Sequence, residues 1–166
     1  MQENIEDQFL KDLNHNIGIV HRVCRVYVKD GDERQDMYQE IIYQLWKSYP
    51  SFKNNSKFST WMYRVAVNTA INHVRKSTRA IKEEPLPENI DKMIFAEDEG
   101  PPGEKLQMLY AVIGQLSPVD KAIILLYLDD NSYDQIAGIT GFTKSNVSVR
   151  LVRIKKQLEK KLKNER

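Results

Sequence analysis

Between Ser132 and Leu162 the apolar residues fall at helical intervals broken once, and that pattern constrains the fold more than any other stretch of the chain. A short helix opens at Ser132, with Gln135 three residues on. The hydroxyl satisfies unpaired backbone N–H groups and the amide reaches back to close a capping box. Thr140-Gly141-Phe142 interrupts the pattern, and Thr143 opens a second, longer helix. There Val147, Leu151, Ile154 and Leu158 recur at intervals of four, three and four, so they share one face turned to a core. The opposite face carries Ser145, Asn146, Val149, Arg153, Lys156 and Lys160. Together these make a helix-turn-helix with a polar, basic outer face, a shape and charge that enter a DNA major groove.

A charged amphipathic helix usually just meets water. The imbalance here favours a polyanion: from Thr143 to Arg166 nine Lys and Arg stand against Glu159 and Glu165. The chain as a whole is nearly neutral, with 25 basic and 23 acidic residues, because its charges are segregated. The compensating acid lies between Glu83 and Glu104, where eight carboxylates face Lys92 alone and Pro85, Pro87, Pro101 and Pro102 defeat regular structure. That segment reads as a linker, on composition alone a solvated tether. The 166 residues therefore divide into two small helical domains, residues 1–79 and 104–166, joined by an acidic linker over 80–103, and the fold class is all-α.

In the first block, apolar spacing predicts one helix from Glu3 to Val28 through Ile5, Phe9, Leu13, Ile17, Val20, Cys24 and Tyr27. The turn Lys29-Asp30-Gly31-Asp32 ends it. A second helix, about Glu33 to Tyr49, buries Met37, Tyr38, Ile41, Ile42, Leu45 and Tyr49 and turns Asp36, Gln39, Glu40, Tyr43 and Lys47 outward. Pro50 stops it, and a loop holding Phe52, Lys53, Asn54, Asn55, Lys57 and Phe58 leads into a third helix. That helix gathers Met62, Tyr63, Ala66, Val67, Ala70 and Val74 on one side and Trp61, Arg64, Asn68, Asn72, Arg75 and Arg79 on the other. An exposed ring among arginines and asparagines suits single-stranded DNA, since unstacked bases lie on aromatic faces while arginines hold phosphates and amides pair with base edges. Trp61 can instead pack over the Phe52–Phe58 loop. In the second block Leu106, Leu109, Val112, Ile113 and Leu116 supply an apolar face, Ser117-Pro118 opens the next helix, and Ile123, Ile124, Leu126 and Tyr127 continue the core.

The lone Cys24 permits no internal disulfide and reads as a buried small hydrophobe in a reducing compartment. His15, His21 and His73 lack companions at ligand spacing, so no metal and no cofactor are expected. No apolar run is long enough to span a bilayer, which points to a soluble, cytoplasmic protein. No phosphate loop, nucleophile arrangement or buried carboxylate pair is present, so neither enzymatic activity nor a small-molecule substrate is expected.

The run SYDQIAGITGFTKSNVSVRLVRIKKQL resembles region 4 of sigma-70-type transcription initiation factors, specifically the extracytoplasmic function (ECF) group. DMYQEIIYQLW and FSTWMYRVAVNTAINHVRKSTR resemble region 2 of the same family. The resemblance spans about Ile17 to Arg79 and Leu106 to Leu162, and the lack of further regions between the two motifs is what points to the ECF group. It implies a factor that binds core RNA polymerase, melts the promoter -10 element and reads the -35 element. Asp36, Gln39 and Glu40 would dock on the beta-prime clamp, with the beta flap as a second polymerase contact. Phe52, Lys53, Asn54, Phe58, Trp61, Arg64, Asn68, Asn72 and Arg75 would take the -10 strand. Asn146, Ser148, Val149 and Arg153 would lie near base edges or adjacent phosphates of the -35 element, with Arg150 and Lys156 on phosphates and Ser145 also among the -35 contacts. Val149 stands where the family often has a small polar residue. The family also implies an anti-sigma partner. The alternative is a helix-turn-helix regulator that acts without polymerase.

Overall fold

A computed structural model describes residues 4–52, 56–75 and 103–164, and every regular element in it is a helix. Lys53 and Asn54 of the expected -10 loop, Arg79, and nearly all of the acidic linker lie outside the described residues.

The N-terminal block holds α1 (Ile5–His15), α2 (Ile17–Tyr27), α3 (Gly31–Ser48) and α4 (Phe58–Arg75), with a 3-10 turn at Tyr49–Ser51 around Pro50. The helix expected to run unbroken from Glu3 to Val28 is thus two. Asn16 breaks it: its side-chain amide donates to the Asp12 carbonyl at 2.9 Å and its backbone N–H to Leu13 at 3.0 Å, so side chain and backbone together replace the helical ladder. On α1, Phe9 is fully buried against the rings of Trp46 on α3 and of Tyr49, 5.1 and 5.0 Å away. Asp30 caps α3, accepting from the Glu33 N–H. Met37, Ile41, Ile42, Leu45, Met62, Tyr63, Ala66, Val67 and Ala70 are buried as the periodicity requires. Tyr38, Tyr49 and Val74, expected inside, are half-buried at the rim, as is Tyr43, expected outside.

The C-terminal block holds α5 (Glu104–Ile113), α6 (Pro118–Leu128), α7 (Tyr133–Thr140) and α8 (Lys144–Asn164). Leu106, expected on the apolar face of α5, is exposed, while Val112, Ile113 and Leu116 are buried. Ser132 and Gln135 form the capping box that opens α7. Gly141 closes α7 with φ 85, a left-handed conformation that costs a residue with a Cβ free energy and glycine little. The Thr143 hydroxyl accepts from the Asn146 N–H at 3.1 Å and opens α8, whose Val147, Leu151, Ile154 and Leu158 are buried.

The two blocks pack against each other, α2 and α4 on one side meeting α5, α6 and α7 on the other. One cluster of buried side chains draws on both blocks. Polar bonds cross the join. The Tyr27 hydroxyl donates to the Pro118 carbonyl at 2.6 Å, and the Tyr63 hydroxyl donates to the Asp129 carboxylate at the same distance. Arg22 Nη2 reaches Asp129 at 3.3 Å, and Arg64 Nη2 donates to the Gly138 carbonyl on α7 at 2.8 Å. Asp130 adopts φ 63 just beyond α6, a left-handed residue that an aspartate tolerates, and the turn aims Asp129 at α2 and α4. Burial, reinforced by the Asp129 carboxylate, pushes the Tyr63 phenol well above its ordinary range.

Candidate nucleic-acid and polymerase surfaces

The capped turn at Gly141 sets α8 across α7 with its polar side outward, and Ser145, Asn146, Val149, Arg153 and Lys156 are exposed along it. Val149 and Val152 are large apolar residues left in solvent on this helix. Ser148 and Arg150 are half-buried. Arg150 donates from Nε to the Asn146 side chain at 2.9 Å and from Nη1 to Asp120 at 3.1 Å, and its guanidinium lies 4.7 Å from the centre of the Phe142 ring. Arg153 Nη2 meets Asp120 at 3.2 Å. Lys155, not among the expected contacts, sits over the Tyr127 ring at 4.1 Å and donates to its hydroxyl at 2.9 Å. The outward face can thus offer flat guanidinium donors, an amide, a hydroxyl and methyl groups to a groove.

On α4, Arg64, Asn68, Asn72 and Arg75 are exposed, one row along the helix. Trp61, which heads that row, is half-buried. Its ring centre lies 5.1 Å from Phe52, 5.4 Å from Phe58 and 6.2 Å from Tyr49, and Phe52 and Phe58 meet edge-on at 5.7 Å. Trp61 therefore packs on the two rings that flank the loop and keeps part of its surface exposed. Arg64 is committed to Gly138 of the second block.

The outward stripe of α3 splits. Asp36 and Gln39 are exposed. Glu40, expected to face outward with them, is half-buried and accepts from His73 Nδ1 at 2.7 Å, while His73 Nε2 lies 3.8 Å from Glu33. That pair ties α3 to the end of α4. Sequence periodicity missed it, along with Asp120 and Asp129, because each meets a partner at least thirty residues away. An acid beside a helix cap, as in Ser117-Pro118-Val119-Asp120, was the one local signal present.

The family described as "Sigma-70 region 2" matches residues 13–80, and that described as "Sigma-70, region 4" matches residues 106–158. The ECF RNA polymerase sigma-E factor of Escherichia coli (strain K12) is 31% identical over 166 aligned positions, covering 86% of this chain and 81% of that protein. Among solved structures, the sigma factor RpoE in complex with the anti-sigma factor NepR from Bartonella quintana superposes with a TM-score of 0.70 at 20% identity, covering 96% of this chain and 99% of the other. CnrH in complex with the cytosolic domain of CnrY superposes with a TM-score of 0.64 at 16% identity, covering 95% and 89%. These two carry the fold, and the sequence matches to both blocks in order carry the lineage: the chain belongs to the sigma-70 family, in its ECF group of RNA polymerase sigma factors.

Proposed function

We propose that α8 reads the -35 element, that α4 and the rings at its head take the -10 strand, and that Asp36 and Gln39 on α3 meet the polymerase clamp, with Glu40 held behind them by His73. The observation that carries this division is the half-exposed nest of Phe52, Phe58 and Trp61 at the start of a row of exposed Arg64, Asn68, Asn72 and Arg75. Rings that accept a base and cations that hold its backbone are what a melted strand needs. Extruding a base costs a few kcal/mol, and stacking worth about 1 to 3 kcal/mol per base offsets it. The domain limits follow the same division, 1–79 for region 2 and 104–166 for region 4. The protein would act in the cytoplasm, as a non-enzymatic subunit. Among the described residues no helix is long and apolar enough to cross a membrane.

Reading both elements at once requires the blocks to part. The element names place them about 25 base pairs apart, or ~85 Å of duplex at about 3.4 Å per step, and duplex that short is stiff. Arg64 and Gly138 are in contact. The contact form is therefore the one that an inhibitor would hold. The structural relative bound to the anti-sigma factor NepR supports an anti-sigma partner for this chain as well.

The test uses holoenzyme assembled from core polymerase and the full chain. Trp61→Ala lowers open-complex formation about tenfold on duplex promoter, and a template already melted at -10 restores it. An equal defect on both templates refutes the assignment.

A further inference from the structure

Asp120 lies on α6, and its side chain is only 10% exposed. It sits in the first turn of the helix, where the Ser117 hydroxyl accepts from its backbone N–H at 3.2 Å and the N-terminal dipole favours a negative charge. Its carboxylate accepts from Arg150 Nη1 at 3.1 Å and from Arg153 Nη2 at 3.2 and 3.4 Å. The two arginines are three residues apart and so are neighbours on the surface of α8. Arg150 is fixed from two more sides, by Asn146 and by the Phe142 ring. Arg153 is half exposed, and its Nε and Nη1 have no partner among the described residues.

We propose that Asp120 is the positioning residue of -35 readout: it orders Arg150 and Arg153 before DNA arrives and cancels one of their two charges, so that base edges rather than phosphates decide binding. The proposal rests on α8 being the -35 helix. The physical reason is a competition. An untethered arginine reaches any nearby phosphate, and phosphate attraction carries no sequence information. Base recognition needs a guanidinium fork held at one orientation, because its bidentate geometry is what discriminates. Asp120 supplies the orientation from a buried, capped helix end, and with both arginines it leaves a net charge of one.

The test is holoenzyme transcription from a promoter library randomised at -35, together with a salt titration of binding to a promoter lacking any -35 match. Asp120→Asn is expected to lower the ratio between the best -35 sequence and its single-base variants about tenfold. The same variant is expected to bind the unmatched promoter more tightly, with a salt slope steeper by about one. Damage to the fold would lower both quantities. In an Arg150→Ala/Arg153→Ala background, Asp120→Asn should no longer change the ratio, as expected of a residue that acts through those two. The proposal is overturned if Asp120→Asn keeps the wild-type ratio while Arg153→Ala lowers it, or if its effect persists undiminished without the arginines. Should Arg150→Ala and Arg153→Ala both leave the ratio untouched, the -35 assignment of α8 fails, and this proposal with it.

Discussion

Replacing Asp129 with alanine probes whether the two blocks hold each other through one carboxylate. The Tyr63 hydroxyl donates to it at 2.6 Å, a length typical of a charge-assisted bond, and Tyr63 is otherwise buried. Losing such a bond costs about 1.5 to 3 kcal/mol. The Arg22–Asp129 pair adds little, because both side chains are more than a third exposed, 37% and 39%, and pairs that wet contribute about 0 to 1 kcal/mol. A combined loss of about 2 to 3 kcal/mol moves the balance between closed and parted blocks about 30- to 150-fold. The assay is a distance distribution between spin labels at Asn72 and Lys156, both exposed, in a Cys24→Ala background. Wild-type chain should give a narrow short-distance population, and Asp129→Ala should add a broad longer one. Tyr63→Phe should do the same to a smaller extent, since Arg22 keeps its partner. Binding of promoter DNA by the free chain should rise with the parted fraction, because affinity scales with the population competent to bind. If Asp129→Ala lowers the melting temperature but leaves the distances unchanged, the carboxylate serves the fold of α6 and not the contact between blocks, and the reasoning is refuted.

Three further outcomes are expected. Gly141→Ala forces a Cβ into a left-handed position at φ 85 and should cost about 1 to 2 kcal/mol in urea unfolding; no loss would mean that the turn relaxes. The double substitution Asp36→Ala/Gln39→Ala should weaken association with core polymerase while leaving -35 discrimination intact, read by fluorescence binding and by the promoter library; unaltered polymerase binding removes the clamp assignment. Burial pushes the Cys24 thiol up to about 12, so at neutral pH its reactive thiolate is scarce in the folded state, and iodoacetamide should label it only on unfolding. Labelling of native protein at the rate of a free thiol would contradict the packing.

Periodicity alone located the helical stretches of the described residues, though it joined α1 and α2 into one, because each has a core face wide enough to leave its mark at intervals of three and four. It also located the caps at Ser117, Ser132 and Thr143, since capping is a local transaction between a side chain and the next turn. The failures share one cause. Asn16 continues the apolar spacing on both sides of itself, so nothing in the pattern shows that its amide turns back to Asp12. Glu40 lies on an outward polar stripe, and nothing in that pattern shows that His73 meets it from another helix. Asp120 and Asp129 hold arginines and a tyrosine that only the tertiary fold brings near. The rows of α4 and α8 were legible as faces, but which members of each row are already engaged was not.

The kink at Asn16 has a further consequence. It lets Phe9 stand behind Tyr49, whose hydroxyl also donates to Asp12 at 3.1 Å, and Tyr49 in turn backs the rings of Phe52, Phe58 and Trp61. Most of α1 precedes residue 13, where the region 2 match begins. The amino-terminal helix therefore braces that aromatic cluster, with Tyr49 as the ring that stands between Phe9 and the other three.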